Sequence, residues 1–144
     1  MHLTIDGFGG DRERLGSEAL VTSLLDRFPG EINMTKLSEP LVFRYSGLKP
    51  EDWGVTGFVI IAESHISVHT FPDHGYVWVD VFSCKEFEAP QALEKVVEAF
   101  GLTSYTERML ERGLEYPHAI DRATPVARSE RLAVAGGIPG PAGS

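Results

Sequence analysis

The sequence predicts an α+β fold, a two-layer α/β sandwich in which a mostly antiparallel sheet carries two helices on one face. Residues 57–63, 66–71 and 76–83 form three consecutive strand-like runs, and residues 11–28 and 89–100 each confine their apolar side chains to one helical face. Pro72-Asp73-His74-Gly75, between the last two runs, has the composition of a tight turn, so these runs are expected to pair as an antiparallel meander.

Taken in order, residues 2–6 alternate like a strand and end at Gly7, Gly9 and Gly10. Asp11 is placed to cap the first helix, whose apolar positions Val21, Leu24, Leu25 and Phe28 follow the i, i+3, i+4, i+7 spacing, and Pro29-Gly30 is placed to stop it. Residues 32–37 and 41–45 read as short strands, and Lys49-Pro50-Glu51-Asp52 as a loop. After the meander, Leu93, Val96, Val97 and Phe100 repeat the helical spacing and Gly101 ends it. Residues 104–110 read as an edge strand. From residue 124 the composition turns to Ala, Gly, Pro and Arg, too poor in apolar side chains to order itself. One domain over residues 1–123 and a flexible tail over 124–144 are expected.

The chain has 144 residues and one cysteine, so an internal disulfide is excluded and a reducing compartment is allowed. Asp6, Asp11, Arg12, Glu13, Arg14 and Glu18 interrupt any leader-like apolar core, and the longest apolar run, residues 57–62, is far too short to span a bilayer. A cytoplasmic protein without membrane contact is expected. The formal charge of -8 disfavours nucleic acid and suits cationic small molecules.

Alternation across strands sorts the side chains into two faces. Val77, Val79 and Val81 share the face expected beneath the helices, whereas Trp78, Asp80, Phe82 and Cys84 share the other, which is then a binding surface or an interface. His65, Ser67, His69 and Phe71 lie on one side of the preceding run, and Ser64, Ile66, Val68 and Thr70 on the other. Ser64 and His69 therefore point oppositely unless the chain bends at Glu63-Ser64. Serines, three histidines, carboxylates and the only cysteine fall between Glu63 and Cys84, a density that points to a reaction centre. Each also has an ordinary reading: His65, His69 and His74 as polar residues, Ser64 as a strand-end hydroxyl, Cys84 as a small buried hydrophobe, Trp78 and Phe71 as core. Zinc held by His65 and His69 with Asp73, Asp80 or Cys84 is drawable, but one thiol and no paired-ligand motif argue against a metal. A hydrolytic Ser-His-Asp or Cys-His set lacks a Gly-x-Ser-x-Gly elbow at Ser64 and a glycine-rich loop beside Cys84.

The strings Gly54-Val55-Thr56-Gly57, Ala62-Glu63-Ser64-His65-Ile66-Ser67-Val68-His69-Thr70-Phe71-Pro72-Asp73-His74-Gly75-Tyr76 and Val79-Asp80-Val81-Phe82-Ser83-Cys84 resemble the core of the prokaryotic S-adenosylmethionine decarboxylase proenzymes. The Glu-Ser-His step, the second histidine five residues after the serine and the cysteine twenty after it coincide. The resemblance implies that the chain cuts itself between Glu63 and Ser64 into a β chain, 1–63, and an α chain, 64–144, with Ser64 becoming a pyruvoyl group at the new N-terminus. It assigns Ser64 as the Schiff-base position, His69 as the proton acceptor in processing, Cys84 as the proton donor in catalysis and Thr56 as a hydrogen-bonding support for the rearrangement. Glu63, the new C-terminal residue, would contact the cationic substrate. Phe71 and Asp73 match a turn that contacts the adenosyl group, and Phe43 and Tyr45 are candidates for the aromatic side chain against adenine. The resemblance further implies a homodimer whose two copies share sites across the interface.

Three departures leave the substrate open. The 41–53 segment is longer than the family's usual link, the N-terminal run Leu3-Thr4-Ile5-Asp6-Gly7-Phe8-Gly9-Gly10 is unusual, and Lys85 rather than glycine follows Cys84. S-adenosylmethionine is the leading substrate, with L-ornithine or L-arginine on the same scaffold as the alternative. A binding or regulatory paralogue that never cleaves itself is the non-enzymatic reading.

Overall fold

The computed structural model describes residues 1–112. Six strands form one antiparallel sheet: β1 (His2–Phe8), β2 (Leu41–Ser46), β3 (Trp53–Ile61), β4 (Ser64–Phe71), β5 (Tyr76–Ser83) and β6 (Ser104–Leu110), in the spatial order β2-β3-β4-β5-β1-β6. The helices are α1 (Arg12–Leu15), α2 (Glu18–Glu31) and α3 (Ala89–Phe100). The expected meander is β3-β4-β5, closed between its last two strands by a single 3-10 turn over Pro72–His74. Gly75 follows in the left-handed region, as the turn composition anticipates. The expected edge strand is β6, paired with β1.

The sheet's inner face meets the helices. Leu3, Ile5, Val55, Val59, Ile61, Ile66, Val68, Val77, Val79 and Val81 pack into one core with Val21, Leu25 and Phe28 of α2 and Ala92, Val96 and Phe100 of α3. Gly57 allows α2 to approach, since a Cβ there would stand 2.7 Å from Leu25. Thr70 is the polar member of the inner face and is wholly buried. Its hydroxyl accepts from the Val55 N–H at 2.9 Å and donates to the Leu15 carbonyl at 2.7 Å, which ties α1 to the sheet.

Four expectations are corrected. The single helix over 11–28 is two: Asp11 does cap α1, but Ser17 caps a separate α2 by accepting from the Leu20 N–H, with Trp53 packed against Gly16 at the break. Pro29 does not stop α2, because in the last turn its ring removes only one N–H. The stop comes at Asn33, whose φ of 59° cannot continue a right-handed helix. Residues 32–37 are not a strand: Ile32 and Met34 seal the core, and only Lys36 bridges to Ile61. β3 begins at Trp53 rather than residue 57 and ends at Ile61, so β4 starts at Ser64 rather than residue 66. The tail expected over 124–144 lies outside the described residues. No helix among the described residues is long and apolar enough to cross a membrane.

Replacing Thr70 by valine keeps the shape but leaves the buried Val55 N–H and Leu15 carbonyl without these partners. We expect a loss of about 1–3 kcal/mol of folding stability, read from the urea midpoint.

Candidate active site

Ala62 and Glu63 alone turn β3 into β4, with Ile61 opposite Ser64. Neither turn residue takes the positive φ that a two-residue hairpin normally uses, and the unusual dihedral falls on Ser64, at φ 156°. The chain thus departs from regular strand geometry at Ser64, but this departure does not bring Ser64 to His69. Residue 35 braces the turn from one side: the Ala62 N–H donates to the Thr35 carbonyl, and the Thr35 N–H donates to Glu63 Oε2 at 3.1 Å. Glu63 is only 5% exposed. From the other side the Cys84 N–H donates to the Glu63 carbonyl at 3.0 Å. That carbonyl belongs to the Glu63-Ser64 peptide.

Cys84 sits just past β5 in a turn shaped by buried Ser83, whose hydroxyl accepts from the Lys85 N–H and donates to the Lys85 carbonyl. Its thiol is exposed, which removes the reading of a small buried hydrophobe. Glu63, Ser64 and Cys84 are thus gathered at one end of the sheet.

His69 is elsewhere. Five residues along β4 it lies about 16 Å from Ser64 at the usual strand rise, on the outer face. The register sets Phe43, Thr56, His69 and Trp78 side by side across four strands. The imidazole stacks on Tyr45 at 4.5 Å and on Trp78 at 5.9 Å and meets the edge of Phe71 at 4.8 Å. Burial among these rings pushes its pKa below the ordinary 6.5, so it is a neutral base at pH 7. Tyr45 is fixed by donating its hydroxyl to the Thr70 carbonyl at 2.6 Å; Phe43, 61% exposed, is free on the surface. Trp78 is not core, being 49% exposed, and Phe71 stands with it.

Asp73 does not join this aromatic cluster. It accepts from the Trp53 indole at 2.9 Å and from Arg12 at 2.7 Å, and these two donors hold its carboxyl below the usual range. Both donors are remote from Asp73 in residue order, which carries no sign of that pairing. Among the described residues no three His, Cys, Asp or Glu side chains gather to hold a metal ion. The site residues named from sequence therefore fall into two half-sites at opposite ends of β4, with Ser64, Glu63 and Cys84 in one and Thr56, His69, Phe71, Tyr45 and Phe43 in the other.

A family model described as S-adenosylmethionine decarboxylase matches residues 1–113. The chain belongs to this family. S-adenosylmethionine decarboxylase proenzymes of Archaeoglobus fulgidus and Aquifex aeolicus are 33% identical over 113 residues and 31% identical over 115. These matches cover 78% and 79% of this chain and 96% and 81% of the relatives. Among solved structures, the adenosylmethionine decarboxylase of Aquifex aeolicus superposes with a TM-score of 0.64 at 27% identity, over 78% of this chain and 89% of that one. The antiparallel sheet with helices on one face is thus the family's fold. The outer face, bearing His65, His69 and Trp78, is the one that the described residues of this decarboxylase-family chain leave uncovered.

His65 and His69 both hold protons less tightly when folded than the ordinary 6.5, so the unfolded chain takes up protons first as pH falls. Their contribution is undiminished above 6.5 and is lost below it. We expect the urea midpoint to drop between pH 7.5 and 5.5, and the drop to be smaller in His69→Phe.

Proposed function

We propose that this chain is a self-processing, pyruvoyl-dependent decarboxylase that converts S-adenosylmethionine to its decarboxylated form and carbon dioxide for polyamine biosynthesis. The observation that carries this reading is the Glu63-Ser64 peptide. It joins a buried glutamate to a serine of unfavourable φ, with its carbonyl held by the Cys84 N–H, in a chain whose relatives are named proenzymes. An N–H at 3.0 Å polarises that carbonyl and steadies the negative charge that attack by the Ser64 hydroxyl would place on it. Breaking the peptide releases the strain at residue 64.

A pyruvoyl group needs a serine freed at an N-terminus, and Ser64 at this turn fits that origin; such a group supplies an electron-withdrawing carbonyl for decarboxylation. The exposed Cys84 thiol beside it is the proton donor to the substrate carbon. Glu63 offers a carboxylate to the cationic substrate. Tyr45, Phe71 and Phe43 supply aromatic surface for adenine.

His69, as the neutral base for loss of the Ser64 alpha proton, must come from a second copy, since its own Ser64 is too far along β4. The uncovered sheet face favours such pairing: Phe43, Phe58, Ile60 and Trp78 are exposed on it. Two sheets stacked about 10 Å apart would bury these side chains and bring one chain's aromatic half-site over the other's Ser64.

Mass spectrometry of the purified protein should show fragments 1–63 and 64–144, and Ser64→Ala one intact, inactive chain. Co-expression of Ser64→Ala with His69→Ala should restore cleavage of the His69→Ala chain, because its partner donates the imidazole. An intact wild-type chain would leave the non-cleaving paralogue standing. Cys84→Ala should still mature but lose turnover by about 10² to 10⁴. Carbon dioxide release from S-adenosylmethionine, ornithine and arginine, compared side by side, decides the substrate.

A further inference from the structure

Neighbouring side chains in a regular strand point to opposite faces and do not meet. Ser64 and His65 do meet: Ser64 Oγ lies 3.2 Å from His65 Nδ1. The φ of 156° at Ser64 is what departs from regular strand geometry here, and it accompanies a hydroxyl directed at the imidazole next to it. The ring itself is held. Phe58 of β3 stacks on it at 5.1 Å, and Phe82 of β5 meets its edge at 5.7 Å. On the same atoms' other flank, the carbonyl preceding Ser64 is anchored by the Cys84 N–H.

We propose that His65 is a catalytic residue of self-processing: its Nδ1 takes the Ser64 hydroxyl proton as Oγ attacks the Glu63 carbonyl carbon, and returns it to the Ser64 nitrogen as the peptide bond breaks. The inference rests on the reading that the chain cuts itself at this peptide. In the first half the Oγ–C bond forms, the carbonyl electron pair moves to oxygen facing the Cys84 N–H, and the proton moves to Nδ1. In the second half the pair returns, the C–N bond breaks, and the new amine receives the proton. Amide has become ester, with no co-reactant consumed.

Accepting the Ser64 proton at Nδ1 requires a neutral ring with its own hydrogen on Nε2. The surroundings favour the neutral ring. Burial, His2 of β1 and the Arg112 guanidinium push the His65 pKa below 6.5, with Asp80 of β5 opposing them. His69 then has a separate and later duty, the elimination that follows the ester. Two histidines serve two steps.

The test follows newly synthesised full-length chain in a cell-free translation system, by mass, with and without hydroxylamine, which cleaves esters and not amides. Wild type should mature with a rate that falls as pH drops below about 6.5. His65→Phe keeps a ring between Phe58 and Phe82 but no base; it should cleave about 10² to 10⁴ more slowly and show no hydroxylamine-sensitive ester. His69→Ala should accumulate that ester. His65→Ala should be rescued by added imidazole, which a merely misfolded chain would not be. His65→Phe maturing at the wild-type rate, or accumulating ester, would overturn the assignment, as would failure of imidazole to rescue His65→Ala. If wild type itself stays uncut, the self-cleavage reading fails instead.

Discussion

One face of the sheet is sealed against the helices, and that constraint fixes the position of every functional side chain. A slip of one residue in β4 would expose Ile66, Val68 and Thr70 and drive His65, Ser67 and His69 into the core. The cost of burying imidazoles without partners, and of exposing the apolar inner set, excludes that register. The histidines are held on the outer face because the valines and isoleucines cannot leave the inner one.

The same sealed register leaves strain only one place to go. β3 and β4 are locked by the core, the turn between them has two residues without glycine or asparagine, and Ser64 takes the awkward dihedral. Such a residue costs of order 1–3 kcal/mol and persists only where its surroundings hold it. Here the hold consists of the Thr35 and Cys84 backbone bonds to Ala62 and Glu63 and the burial of Glu63. These backbone braces come from two stretches of chain remote from the turn, so the strained peptide exists only once the domain has folded.

Much of this was legible from residue order. The alternation Val77, Val79, Val81 against Trp78, Asp80, Phe82 predicts both faces of β5 correctly, because a half-covered strand sorts side chains by polarity. The parity of Ser64 and His69 sets them on opposite sides unless the chain bends at Glu63-Ser64, and the unusual dihedral at Ser64 does not bring the two together. Other features leave no local trace. At the Gly16-Ser17 break only the Ser17 cap is local, and Trp53, which packs against Gly16, lies thirty-odd positions away. Residues 32–37 have strand-like composition but spend it on sealing the core and bracing a turn. Asp73 sits in a motif that suggests a ligand contact, yet Arg12 and Trp53 reach it first. In residue order His65 reads as an ordinary polar residue, a zinc ligand or, with His74, a substitute for His69 in processing, and the hydroxyl beside its ring is what separates it from His74.

The division of the site between two ends of β4 follows from the same physics. A strand of eight residues separates its ends by more than a side chain can bridge, so no rotamer change unites Ser64 with its own His69. The proposed two-fold axis through the outer face would unite them. In such an isologous contact residue i of one copy meets j of the other while j meets i, and an axis passing near the middle of β4 exchanges its ends. The proposed pairing therefore completes two sites at once or neither. His65, adjacent to Ser64, needs no partner for the acyl shift, whereas the proposed elimination waits for the second copy's imidazole. On the proposed reading, ester formation is a property of the folded chain, and the release of fragment 1–63 a property of the proposed dimer.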